Sequence, residues 1–359
     1  MKLQQKIQLG TLLMLFVVMI GLAGCSSDSA SKESSTEDEK AEQTDSSGSD
    51  SEDATEYPLV IGHALGKTEI KSKPERVVTI QWGNQDVALA LGVVPVGFSE
   101  ANFGVQDDSG LLPWTKEKLE ELDVTDPNVF QDTDGLDFEA ISDAQPDVIL
   151  AAYSGITQED YDLLNEIAPV VAYPTSPWTT TWREQVLYNA KGMGIEAEGE
   201  QLIKDVEDTI AEKLESHPEI EGKKVVWVNF SAEDTSQLHI YTPTDSRGAF
   251  LYELGLEYPE SITEMLDDPD SYSLNLSAEN AGALNDADII VGYGNDELLK
   301  TLQEDPLIGK IPAIERGSVA FIDSDTPLVA AGTPTPLSIT YTIDEYLELI
   351  GGAIENINE

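Results

Sequence analysis

Gln201-Leu202-Ile203-Lys204-Asp205-Val206-Glu207-Asp208-Thr209-Ile210-Ala211-Glu212-Lys213-Leu214 organises the whole chain. Leu202, Val206, Ile210 and Leu214 recur every four residues, with Ile203 beside the first, and charged side chains fill the other faces. Residues four apart share one face of a helix, so the spacing predicts an amphipathic helix of about five turns. Working outward toward the N-terminus, Pro74-Glu75-Arg76-Val77-Val78-Thr79-Ile80 reads as a short buried strand after a turn. Asn84 to Leu91 reads as a helix ended by Gly92, and Val93-Val94-Pro95-Val96-Gly97-Phe98 as the next strand. Strand, helix and strand at this spacing form a βαβ unit, which implies a parallel sheet. Glu139-Ala140-Ile141-Ser142 opens a further helix leading to the buried strand Pro146-Asp147-Val148-Ile149-Leu150.

Outward toward the C-terminus the scheme repeats. Lys224 to Phe230 and Gln237 to Tyr241 read as strands, and Arg247 to Leu254 as a helix with Gly255 as its stop. Glu279 opens a helix leading to Asp288-Ile289-Ile290-Val291, matching the placement of Glu139 before Asp147-Val148-Ile149-Leu150. The predicted class is α/β: two Rossmann-like lobes joined by a single long α-helix. A helical joint predicts less lobe movement than extended crossovers allow.

The 359 residues carry 68 acids against 20 Lys and Arg, a formal net charge of −48, with 40% hydrophobic residues. That is enough apolar material for a real core, and the length suggests two lobes of ordinary size. The charge excludes nucleic acid and electrostatic attachment to an anionic membrane. One Cys excludes a disulfide framework or thiolate metal cluster, and His63, His217 and His239 stand in no metal-ligand spacing.

The chain opens with Lys2 and Lys6, then the apolar run Leu12-Leu13-Met14-Leu15-Phe16-Val17-Val18-Met19-Ile20, too short for a membrane span and suited to a signal peptide. Leu22-Ala23-Gly24-Cys25 follows and resembles the bacterial lipobox, in which the thiol of Cys25 is lipidated and becomes the mature N-terminus. More than one acyl chain on that residue gives a stable anchor. Residues 26–56 are rich in Ser, Asp, Glu and Thr and lack aromatics, the composition of a disordered, self-repelling tether. The expected organisation is a signal peptide over 1–25, the tether over 26–56, an N-terminal lobe over 57–180, a connecting helical region over 181–216 and a C-terminal lobe over 217–359.

Pro74-Glu75-Arg76-Val77-Val78, Leu91-Gly92-Val93-Val94-Pro95-Val96-Gly97, Pro146-Asp147-Val148-Ile149 and Ile167-Ala168-Pro169-Val170-Val171 together resemble the substrate-binding lipoproteins of bacterial iron-siderophore ABC importers, the helical-backbone class III binding proteins. Leu254-Gly255, Ala287-Asp288-Ile289-Ile290 and Ile311-Pro312-Ala313-Ile314-Glu315-Arg316-Gly317-Ser318-Val319 agree, so the resemblance spans 57–359. It implies a ligand cleft between the lobes, a monomer on the outer face of the cell membrane in the manner of Gram-positive lipoproteins, and a two-subunit permease as partner. It also implies docking on that permease through one acid per lobe, matched here by Glu139 and Glu279. Carboxylate–arginine pairs would fix orientation as well as add energy.

A ferric siderophore brings all six iron ligands, so such a protein needs neither metal ligands nor a cofactor. It needs aromatic surface and a few donors. The expected contacts lie in loops that follow strands. They are Trp82, Trp114, Tyr153, Trp178, Trp182 and Arg183 in and after the first lobe, and Tyr241, Arg247, Phe250 and Tyr293 in the second. Trp227 sits inside a strand and reads as core. A tris-catecholate carries about three negative charges and needs several cations around it, since an unpaired buried charge is costly. The candidate loops offer only Arg183 and Arg247 in a very acidic body, which suits a neutral or cationic tris-hydroxamate of the ferrioxamine type, whose amine tail aromatic faces would also attract. Haem and cobalamin remain as alternative ligands on the same fold, and a surface sensor or a siderophore-modifying enzyme as alternative roles. For an enzyme, no G-x-S-x-G, His-Glu metal motif or phosphate loop is present.

Overall fold

The structure, a computed structural model, describes residues 55–105, 107–132 and 134–357. Cys25, the signal peptide and most of the tether lie outside the described residues. The first lobe opens with the antiparallel hairpin β1 (Leu59–His63) and β2 (Gly66–Ile70). There follow β3 (Val77–Thr79), α1 (Asn84–Ala90), β4 (Gly97–Ser99), α2 (Pro113–Glu121), β5 (Val129–Phe130), α3 (Phe138–Asp143), β6 (Val148–Ala151), α4 (Gln158–Ile167) and β7 (Val170–Ala172). Helices α5 (Trp182–Met193) and α6 (Glu196–Leu214) carry the chain onward. The second lobe is built from β8 (Val225–Asn229), β9 (Gln237–Tyr241), α7 (Ser246–Glu253), α8 (Glu260–Thr263), β10 (Ser273–Ser277), a 3-10 helix over Ala278–Asp286, β11 (Ile289–Tyr293), α9 (Asp296–Glu304), α10 (Pro312–Glu315), β12 (Val319–Ile322), α11 (Leu328–Ala331) and α12 (Pro336–Glu355).

The two sheets share one plan. Their strand orders are β5-β4-β3-β6-β7 and β10-β9-β8-β11-β12, with the first strand of each run at the centre. The paired motifs noted in the sequence set strand register. Asp147, just before β6, accepts hydrogen bonds from the backbone N–H groups of Glu75 (2.8 Å) and Arg76 (3.0 Å), just before β3. Asp288, just before β11, accepts from Lys224 N–H (2.9 Å), just before β8. In each lobe an acid thus fixes the start of the central strand.

Three sequence expectations need correction. Residues 93–96 are not strand: Pro95 has no N–H to donate, and pairing starts where Val96 donates to Val77. The second sheet is mixed, because β9 runs antiparallel to both β8 and β10. The 230–236 connection is too short for a crossover helix, so the chain turns straight back. The segment opened by Glu279 is a 3-10 helix.

The apolar stripe of α6 faces inward as its periodicity predicts, with Val206 and Ile210 buried and Leu202, Ile203 and Leu214 packed beside them. Gly194 (φ 70°) ends α5 in the left-handed region, and a Cβ there would lie 2.0 Å from Tyr57 Oη, so only glycine fits the turn into α6. The second lobe's core continues without a break through α5 and α6 into Val87, Ala101, Leu112 and Trp114 of the first lobe. Helix α12 packs on α1 and α2 as well as on α6, β11 and β12. The lobes are joined by shared packing as well as by chain.

Candidate functional site

Loops leaving the strand ends of the first lobe build one wall of a cleft. Asn84, wholly buried at the start of α1, organises them. Its Nδ2 donates to the carbonyls of Ile80 (2.8 Å) and Tyr153 (2.9 Å), and its Oδ1 accepts from Tyr153 N–H (3.2 Å) and Asn189 Nδ2 (2.9 Å). Gln185 Nε2 donates to the Trp82 carbonyl at 3.0 Å. One amide therefore ties the loop bearing Trp82 to the loop bearing Tyr153. Trp178 lies edge-on to Tyr153, centroids 5.4 Å apart. A Cβ on Gly155 would sit 2.4 Å from Trp178 Nε1, so the indole needs a glycine beneath it. Gln81 and Trp178 both adopt φ 63°, a conformation strained for side-chain-bearing residues, and both line the cleft. Such strain persists where surrounding structure enforces it, commonly at functional sites.

The opposite wall comes from the second lobe. Asp245 caps α7, accepting from Arg247 N–H (2.9 Å), and both its oxygens take hydrogen bonds from Arg247 Nη1 (3.0 Å each). Arg247 Nε donates to Tyr293 Oη at 3.2 Å, and the guanidinium carbon lies 4.2 Å over the Tyr241 ring. Burial opposes the Arg247 charge, but Tyr293, Asp245, Tyr153 and Tyr241 outweigh it and hold its pKa well above the ordinary value. Trp227 lies beneath, edge-on to Tyr293 (4.6 Å) and Tyr241 (5.4 Å). Contacts that cross between the walls include Tyr153 Oη to Ser246 Oγ (3.4 Å) and the Phe103 ring to Tyr293 (5.6 Å). Burial pushes the Tyr153 phenol up to about 12, which keeps it neutral and able to donate.

The cleft between these walls has a volume of about 530 Å³. It brings together six of the residues singled out from sequence: Trp82, Tyr153, Trp178, Tyr241, Arg247 and Tyr293. The other four lie elsewhere, for physical reasons. Trp114 is 3% exposed and gives its Nε1 hydrogen to Asp86 (2.9 Å). Trp182 is 1% exposed and donates to Glu253 (2.8 Å). Both indoles sit at helix starts, as the sequence suggested, but a carboxylate holds each in the core. Arg183 pairs with Glu207 and Glu253, tying α5 to α6 and α7. Phe250 is buried and stacked on Tyr346. The lining also holds residues that the sequence pattern did not single out, among them Asn102, Phe103, Asp132 and Tyr272. Asn102, Phe103 and Asp132 follow β4 and β5, so the rule that ligands sit beyond strand ends pointed to them. Tyr272 reaches the cleft because Ser273 pairs with Tyr241, in the antiparallel edge the sequence did not reveal.

Glu139 and Glu279 are exposed, each in the first turn of its helix, and each helix leads into the strand beside its sheet's centre, β6 or β11.

The sequence and the fold both have relatives. Streptococcus pneumoniae PiaA, solved in complex with ferrichrome, is 55% identical, with a TM-score of 0.80 and an alignment covering 83% of this chain and 99% of that one. Staphylococcus aureus SirA, solved with staphyloferrin B, is 26% identical, with a TM-score of 0.59 over 84% of this chain and 98% of that one. The Bacillus subtilis protein YfiY, described as a probable siderophore-binding lipoprotein, is 24% identical over 318 residues, 84% of this chain and 91% of its own. These relatives are binding proteins, not enzymes. The family model described as periplasmic binding protein matches residues 77–326, and with two lobes on one strand plan enclosing a cleft, the chain belongs to the periplasmic binding protein family.

Proposed function

We propose that this protein is the membrane-anchored, extracellular substrate-binding protein of an ABC importer, and that it carries a ferric hydroxamate siderophore. The observation that carries the reading is the composition of the cleft. Aromatic rings from both lobes face a space of about 530 Å³, and Arg247 is the sole cation among the described lining residues, against Glu100, Asp132 and Asp245. Aromatic faces bind the carbon backbone of a bulky chelate, while Arg247 and the tyrosine hydroxyls meet its iron-bound oxygens. A tris-catecholate, with about three negative charges, would face more acid than base there, and its desolvation would go uncompensated. A neutral or cationic tris-hydroxamate meets no such penalty. The ferrichrome complex of the 55% identical relative supports the same ligand class.

Delivery to the permease rests on Glu139 and Glu279. One exposed acid per lobe, before equivalent strands, lets two membrane subunits each read one lobe through arginine. Cys25 supplies the anchor; among the described residues no helix is long and apolar enough to cross a membrane.

Quenching of tryptophan fluorescence by a panel of ferric complexes tests the ligand. Ferrichrome and ferrioxamine are expected to quench saturably, and a ferric tris-catecholate weakly. Tighter binding of the tris-catecholate would reverse the charge argument.

A further inference from the structure

Three carboxylates are buried among the described residues: Asp86 and Asp245, each 1% exposed, and Asp132, 8% exposed. Two are well compensated. Asp86 accepts from Trp114 Nε1 (2.9 Å), Thr115 Oγ1 (2.8 Å), Thr335 Oγ1 (2.7 Å) and Gln85 Nε2 (3.4 Å). Asp245 holds Arg247 through two side-chain bonds and one backbone bond. Asp132 is different. Its carboxylate takes one side-chain hydrogen bond, from Ser99 Oγ, and no Lys, Arg or His among the described residues pairs with it. Burial holds its carboxyl above the ordinary carboxylate range, the neighbouring Glu100 and Asp137 add to this, and Ser99 and a backbone N–H oppose it. Ser99 is itself fixed, since its Oγ accepts from the strained Gln81 backbone N–H at 2.8 Å. The carboxylate is thus held in place on the cleft wall, in the lobe opposite Arg247.

A buried carboxylate with one side-chain donor and, among the described residues, no cation beside it is costly to charge. It is retained where the missing partner arrives from outside. We propose that Asp132 is a specificity-determining residue that receives a cationic arm, a primary ammonium, on the ferric hydroxamate bound in the cleft. The inference rests on the ligand class proposed above and adds a polarity to the site. Iron-bound oxygens face Arg247 and the tyrosines of the second lobe, and the positive end of the chelate lies against Asp132, with Glu100 beside it adding to the attraction. An ammonium donor on a buried carboxylate makes a charge-assisted bond, and Ser99 keeps the acceptor oriented.

The test compares ferrioxamine B, a linear ferric tris-hydroxamate ending in a primary ammonium, with the same complex N-acetylated, by calorimetric titration at low and high salt. The free amine is expected to bind roughly tenfold or more tighter than the acetylated form, with the advantage shrinking as salt rises. In Asp132→Asn the two affinities should come within about twofold of each other, and a circular dichroism melt checks that the variant is folded. Equal affinities in the wild-type protein, or an amine preference that survives Asp132→Asn, would overturn the role of Asp132 while leaving the hydroxamate reading intact. Failure of both complexes to bind would overturn the role of Asp132, and the hydroxamate reading with it only if ferrichrome also fails to bind. If Asp132→Asn does not fold, Asp132→Ser takes its place in the same two-ligand comparison, with the same outcomes expected.

Discussion

At the scale of single residues, two buried charges separate structure from binding. Arg247 serves both. Its fork holds Asp245 and Tyr293 while its face covers Tyr241. Arg247→Ala leaves Asp245 buried without its cation, which costs about 3–5 kcal/mol of stability, and ligand affinity should fall at least tenfold. Denaturant titration and calorimetry read the two effects separately, and a variant as stable as the wild type would contradict the pairing. Asp86 is structural. Burial holds its carboxyl above the ordinary carboxylate range, against the four donors that favour its charge. A folded value above the unfolded one means that folding binds the proton more tightly. The group's contribution to stability is therefore fullest below its unfolded pKa and is lost as pH rises through the folded one. Asp86→Asn removes this titration. The stability gap between wild type and variant is expected to shift in the wild type's favour as pH falls from about 7 toward about 4; urea melts at stepped pH would show it, and a constant gap would refute it.

At the scale of elements, the site depends on how loops leave strands. Gly155, just past β6, allows the Trp178 ring to approach, and an added methyl would meet indole atoms at 2.4 to 2.6 Å. Gly155→Ala should therefore push Trp178 from the cleft wall and weaken ligand binding several-fold, about 1 kcal/mol for one displaced aromatic contact, although Gly155 lines no part of the cleft. Fluorescence titration checks this; an unchanged affinity would mean that Trp178 does not touch the ligand. This dependence also explains what the sequence could and could not reveal. The helix α6 was legible because its stripe is local, and Trp82, Tyr153 and Trp178 because each follows a strand. Trp114 and Trp182 look the same in sequence. What removes them to the core are Asp86 and Glu253, partners 28 and 71 residues away along the chain. Tyr272 was hidden for a related reason: its place depends on a long-range antiparallel pairing rather than on local pattern.

At the scale of the whole molecule, one strand plan used twice places two unlike walls face to face. The first lobe supplies two tryptophans, a tyrosine and two acids, and the second supplies tyrosines around one paired arginine. A core continuous from α5 and α6 into both lobes, with α12 packed across α1 and α2, keeps that geometry in place. Asp86 reinforces it by bonding Thr335, the N-cap of α12, from α1. Under the proposed function a chelate too large for either wall alone would be held where the two meet, and the exposed Glu139 and Glu279 would be left for the permease. Locating iron by anomalous scattering in crystals grown with ferrichrome tests this most directly. Iron is expected between the lobes, with Trp82 and Trp178 on one side and Arg247 and Tyr293 on the other. Iron bound outside the cleft, or held against one lobe only, would contradict the proposed mode of binding.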